Sequence, residues 1–315
     1  MLGRHADRIA EAYGCGAGAE LRGPLARGEQ GEVWRLETRS AVWAVKLLFE
    51  QPDLADARAD GAYQDAVWAA GVPMPRARHT LDGELLYPLD GSWVRVYDWV
   101  DLLEPDPGVD PAAVGALLAA IHGVRSLSSA RPVDPWYTEP VGARRWEELM
   151  ASLDVRGAPF ADGLAELRDE LVALEQLLAP PRDLQVCHRD LWADNVRATP
   201  GGGLCVIDWD NGGLADPSQE LAIPLFEFGL GDGARTRALY DAYVAAGGPG
   251  RIAGPGDCSM LIAQLGHIAE RHCALWLEIG AREPQRTRAT RGVDEFLGRP
   301  LTRGVIDDLI AAVTG

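Results

Sequence analysis

Two early stretches, residues 21–49 and 84–100, hold apolar segments rich in β-branched and aromatic residues. Their segments EVWRLET, AVWAVKLLF and SWVRVYDWV read as strands. Between them, residues 53–70 carry helical spacing that Gly71 and Pro73 end. Strands, one helix and strands again predict a small mixed lobe around an antiparallel sheet. After LLEPDPGVDP the pattern changes: AAVGALLAAIHGV repeats its apolar positions at helical intervals, with Pro111 suited to a first turn. Residues 144–179 predict one or two further helices, 259–279 a long one and 304–313 a last one. Two short apolar runs, LQVC at 184–187 and LCVI at 204–207, interrupt this helical part and flank a polar loop. The pattern predicts an α+β chain of two lobes. The smaller covers residues 1–101 and the larger, mainly helical one 102–315.

Composition narrows the function more than the fold. At 315 residues the chain is long enough for two cores, and 47% apolar with 24% charged residues is ordinary for a folded protein. No apolar run approaches the roughly 18–20 residues of a membrane span, and MLGRHADRIAEAYG lacks the apolar core of a secretory signal. The expected location is therefore cytoplasmic, without a membrane partner. Five cysteines, with no CxxC pair and no histidine at zinc spacing, argue against a disulfide framework or structural metal. A formal charge of −17 argues against nucleic acid, which needs a positive footprint. It would instead concentrate a cationic small molecule, although solubility alone also accounts for acidity.

The polar loop reads HRDLWADN (188–195), and LCVIDWD follows. Phosphoryl transfer from a nucleotide needs a carboxylate near the acceptor hydroxyl and oxygen ligands for Mg²⁺. Asp190 fits the first task. Asn195 and the strand-end Asp208 fit the second. His188 reads as a brace of the loop, and Arg189 as a support of the loop or a substrate contact. Upstream, LARGEQGEVWR contains Gly28 and Gly31, which would let backbone amides approach phosphate oxygens.

Together with DPSQELA at 216–222 and ALLAAIHGV at 116–124, these motifs resemble the aminoglycoside phosphotransferase and choline kinase family, whose fold is similar to that of protein kinases. Trp209 after Asp208 matches that family rather than the Asp-Phe-Gly of protein kinases, and no Ala-Pro-Glu segment appears. The resemblance implies ATP or GTP as donor, with Mg²⁺. It places Lys46 on the α- and β-phosphates, Asp60 where the helix glutamate that pairs with such a lysine belongs, and the base against backbone at Tyr97–Val100, with Asp98 and Val100 as contacts. No glutamate lies between Glu50 and Glu84, so the lysine's helix partner is an aspartate or is missing. Family acceptors include aminoglycosides, macrolides, choline, sugars and amino acids. Asp194, Asp210, Glu270 and Glu278 are the candidate carboxylates for an amino-bearing one. A nucleotide-binding module without catalysis is the rival reading, opposed by the presence of Asp190, Asn195 and Asp208. Neither G-x-G-x-x-G nor G-x-x-x-x-G-K-[ST] occurs.

Overall fold

The computed structural model describes residues 5–28, 30–125, 132–278, 280 and 283–315. Its elements run α1 (Ala6–Ala12), β1 (Glu20–Arg27), β2 (Gly31–Glu37), β3 (Val42–Leu48), α2 (Leu54–Ala69), β4 (Ala77–Arg78), β5 (Tyr87–Leu89) and β6 (Ser92–Asp98). There follow α3 (Pro111–Gly123), α4 (Ala143–Val155), α5 (Ala161–Glu175), β7 (Gln185–Cys187), β8 (Val196–Ala198), β9 (Leu204–Val206) and β10 (Gly213–Ala215). The chain ends in α6 (Pro217–Gly229), α7 (Gly233–Ala245), α8 (Ser259–Leu277), α9 (Glu283–Gly298) and α10 (Arg303–Thr314). None of the described helices is long and apolar enough to cross a membrane.

Two compact units emerge, and they do not follow a single cut at residue 101. The first contains Met1–Val109, Ala120–Pro132 and His188–Gly213; the second contains Asp110–Ala119, Val133–Cys187 and Leu214–Gly315. The polar loop, expected in the second lobe, therefore clusters with the N-terminal strands. Backbone bonds explain why: Val206 N–H donates to Pro73 O (2.9 Å) and Leu103 N–H to Ala198 O (2.9 Å).

The sheet of the first unit has the order β1-β2-β3-β6-β4, with β5 also paired to β6. The pairings of β1, β2, β3 and β6 are antiparallel. Alternation sorts the side chains. Leu36, Val45, Val94 and Val96 point into a core closed by Ile9 and Tyr13 of the α1 region. Lys46 and Arg95, register partners across β3 and β6, lie one residue out of phase with that core. Leu48, on the same face as Lys46, packs with Ala57 of α2. Helix α2 starts where Asp53 caps it, its carboxylate accepting from Ala55 N (2.8 Å) and Asp56 N (3.0 Å).

In the second unit, Trp146, Leu149 and Leu153 of α4 pack with Leu164, Ala269, Cys273, Val293 and Phe296. The predicted 144–179 segment resolves into α4 and α5. Helices α1, α6, α7 and α9 were not foreseen, for different physical reasons. Helix α1 has only seven residues. Helix α6 is buried almost throughout and holds Pro224, so no amphipathic stripe marks it. Helix α7 opens on a glycine, and α9 is rich in Arg, Thr and Gly with few apolar positions. Asp216 of DPSQELA caps α6, accepting from Ser218 N (2.8 Å), with Pro217 as the first helical residue. All five cysteines are free and buried.

Candidate active site

The site is built on the β8–β9 hairpin, where Val196 pairs with Val206 and Ala198 with Leu204. Asn195 immediately precedes β8, and its carbonyl accepts from Ile207 N (2.9 Å), so Asn195 lies beside the residue preceding Asp208. Asp208 itself adopts a left-handed backbone (φ 57°, ψ 66°), a conformation that aspartate tolerates better than most side chains. It turns the chain out of β9 into a short 3₁₀ turn at Trp209–Asn211. Trp209 anchors that turn: its indole is buried, donates to Val206 O (3.2 Å), and stands edge-on to His188 (4.6 Å between centroids) and Tyr63 (6.1 Å). The fully buried His188 donates through Nε2 to Ile207 O (3.0 Å), which braces the loop from its other end. Arg189 donates Nε–H to Asn211 O (2.7 Å). A Cβ on Gly213 would fall 2.5 Å from the Arg189 guanidinium carbon, so this residue must be glycine for the arginine to reach the turn.

Asp190 projects between these braces. Its Oδ2 accepts from Asn195 Nδ2 (2.9 Å) and from Asn211 Nδ2 (3.0 Å). Asn195 Nδ2 also donates to the Asp190 carbonyl (2.9 Å), which leaves the amide oxygen of Asn195 uncommitted among the described residues. No described donor reaches Asp190 Oδ1, so the carboxylate has one fixed and one available oxygen. Burial is the main influence on this group and pushes its pKa above the usual carboxylate range. The His188 ring and the two amides act in the opposite sense, while Asp208 adds to the rise.

Beside this loop lies a cluster of opposite charges. Lys46 Nζ contacts Asp208 Oδ1 (2.8 Å) and Asp210 Oδ2 (2.6 Å), and Arg95 donates to Asp210 Oδ1 (2.7 Å). Burial alone would lower the Lys46 pKa, but Asp210 and then Asp208 outweigh it and hold it above its ordinary value. Burial pushes the neighbouring Tyr97 phenol up to about 12, with Asp210 adding to the effect.

Several expected roles change here. Asp60 does not pair with Lys46, whose ion-pair partners are Asp208 and Asp210; its charge acts on Arg95 instead. Asp210 is not an open acceptor contact, since its two oxygens carry Lys46 and Arg95 and its side chain is only 8% exposed. Glu270, on α8, is paired with Arg145. Asp194 and Glu278 are both exposed, the latter ending α8. Asp98 N–H is taken by Arg76 O (2.9 Å), whereas Val100 lies beyond the end of β6 with no backbone partner among the described residues. Gly31 is forced: a Cβ would sit 2.3 Å from Leu47 O across the β2–β3 ladder. Gly28 is not forced in this way, its added Cβ meeting nothing closer than Gly31 O at 4.0 Å.

Three participants carried no signal in the sequence. Arg95 sits in an apolar strand. Asn211 follows the recognisable motif, and Gln30 lies at the β1–β2 turn. Gln30 Nε2 donates to Asn211 Oδ1 (3.0 Å), so one amide side chain joins that turn to Asp190.

Residues 23–255 match the model of the phosphotransferase enzyme family. Among solved structures, the chain is similar to the spectinomycin phosphotransferase APH(9)-Ia in complex with ADP and spectinomycin, at 15% identity and TM-score 0.66, over 98% of this chain and 97% of that one. It is also similar to an aminoglycoside phosphotransferase from Alicyclobacillus acidocaldarius, at 18% identity and TM-score 0.62, over 93% and 91% of the two chains. A choline/ethanolamine kinase family protein from Mesorhizobium loti matches at 17% identity and TM-score 0.55, over 99% of both. Comparison with curated proteins gave no match. At such identities the structures speak to fold, which is the protein-kinase-like one with an antiparallel-sheet part and a helical part.

Proposed function

The chain belongs to the phosphotransferase enzyme family, and from that premise we propose that it moves the γ-phosphoryl group of ATP or GTP to a hydroxyl of a cationic, aminoglycoside-like small molecule. The observation that carries this reading is the split carboxylate of Asp190, with Oδ2 held by two amides and Oδ1 open to a hydroxyl. The acceptor oxygen attacks the γ-phosphorus in line, its proton passing to Asp190 Oδ1. The bond from the γ-phosphorus to the bridging oxygen breaks, and the nucleoside diphosphate leaves with the electron pair. Asn195 Oδ1 and the Asp208 carboxylate form a hard oxygen pair suited to Mg²⁺. When bound, that ion would neutralise phosphate charge. Lys46 would meet the α- and β-phosphates, the Gly28–Gly31 turn would cover them, and Asp98 carbonyl with Val100 amide would meet the base.

The exposed Asp194, one residue before Asn195, supports an ammonium-bearing acceptor, as does the charge of −17. The test is incubation with Mg-ATP or Mg-GTP and a panel of aminoglycosides, macrolides, choline, sugars and amino acids. Nucleoside diphosphate release and a phosphate mass gain on one acceptor class are the expected results. A folded, nucleotide-binding protein that phosphorylates no class would sink the proposal.

A further inference from the structure

A lysine that grips phosphates needs a carboxylate to aim it, and that carboxylate must stay in place once the metal arrives. Of the two acids on Lys46, Asp208 is the proposed metal ligand, so a bound cation competes with Lys46 for it. Asp210 has no such conflict. It sits on the 3₁₀ turn anchored by buried Trp209, and its other oxygen is held by Arg95 (2.7 Å), whose side chain is 5% exposed. Arg95 and Lys46 are direct neighbours across β6 and β3, so a single carboxylate bridges two adjacent strand cations. On α2, the helix expected to supply the acid, Asp53 is spent on capping and Asp60 acts on Arg95.

We propose that Asp210, clamped by Arg95, is the positioning carboxylate of Lys46, in place of an acid on helix α2. The inference rests on the nucleotide-binding reading above. It makes the aim of Lys46 a property of the turn that also carries Asp208, two residues away. Phosphate grip and metal ligand are then set by one rigid element, independent of how α2 is placed.

A double-mutant cycle tests this on the full-length chain, with Mg-ATP and Mg-GTP dissociation constants measured by calorimetry. The nucleotide that binds the unaltered protein more tightly is carried through the cycle. Asp210→Asn should weaken binding by about 10- to 100-fold, the usual cost of losing a residue that orients a ligand-binding group. In a Lys46→Met background the same change should have almost no further effect, because Asp210 acts through the lysine. Near-UV circular dichroism checks folding. If Asp210→Asn alone does not fold, Arg95→Gln with Asp210→Asn removes one charge of each sign and carries the same cycle. Independent, multiplying losses would overturn the inference, and so would coupling of Lys46 to Asp60→Asn instead. An unaltered protein that binds neither nucleotide would overturn the functional reading itself, a result separate from either of these.

Discussion

Replacing Asp190 with asparagine should cut turnover steeply and, as pH rises, raise thermal stability. The side chains are isosteric, and the structure dictates how asparagine must orient. Its amide oxygen has to take the Oδ2 position, because Asn195 Nδ2 and Asn211 Nδ2 both donate there. The new NH₂ then occupies the place of the open oxygen and cannot accept a proton. Loss of one positioned base costs about 10²- to 10⁴-fold in kcat, or about 2.7–5.4 kcal/mol of barrier. Nucleotide affinity should stay nearly unchanged, since the role proposed for Asp190 is on the acceptor side. The stability effect follows from the sign of its pKa shift. Burial raises the folded value above the unfolded one. The carboxyl's favourable contribution is therefore complete below its unfolded pKa and is lost as pH rises through the folded value. Once pH has risen through the folded value, the native protein carries a buried charge that asparagine removes. Thermal melts in EDTA should show a Tm advantage for Asp190→Asn that grows as pH rises through the folded value and fades toward the unfolded one. A Tm difference that does not grow with pH would refute the electrostatic reasoning. Loss of nucleotide affinity matching the loss of turnover would refute the assignment of Asp190 to the acceptor side.

Asp208→Ala should behave differently, weakening Mg-nucleotide binding together with turnover, by more than the about 10- to 100-fold that a ligand-orienting residue costs; calorimetry with and without Mg²⁺ separates the two contributions. Asn211→Ala removes one of two donors to a buried carboxylate, so kcat should fall about 10- to 100-fold in steady-state assays while nucleotide affinity holds. Gly31→Ala puts a Cβ 2.3 Å from Leu47 O, where the neighbour is backbone and cannot move cheaply. It should cost about 1–3 kcal/mol in urea unfolding and weaken nucleotide binding as the β2–β3 ladder opens.

Much of this centre could be read from the chain because its chemistry is local. Asp190 and Asn195 lie on the loop that leads into β8, and Asp208 follows β9, so one loop and its hairpin set their spacing. Lys46 was legible from its strand, as were the sheet and the helices with a clear apolar stripe. What could not be read depends on distant pairings. Asp210 looked like an acceptor contact because nothing local says that residues 46 and 95 will meet it. Arg95 was invisible, since a charged residue inside an apolar strand gains its meaning only from its register opposite Lys46. Asp60 was assigned by position along a helix, but a carboxylate's reach decides its partner. Helix α6 escaped because full burial erases the period that reveals a helix.

The composition of the first unit also bears on its birth at the ribosome. The strands of its main sheet are complete by Asp98, yet its remaining pieces include His188–Gly213. At about 5–20 residues per second, the roughly one hundred intervening residues take about 5–20 s to be made. Through that interval Lys46 and Arg95 face each other on adjacent strands without Asp208 or Asp210 to neutralise them. Until later synthesis supplies them, the nascent sheet lacks the two carboxylates that contact this pair of cations. Closure of this unit should be a late event, timed to the emergence of the hairpin that leads into Asp208 and Asp210.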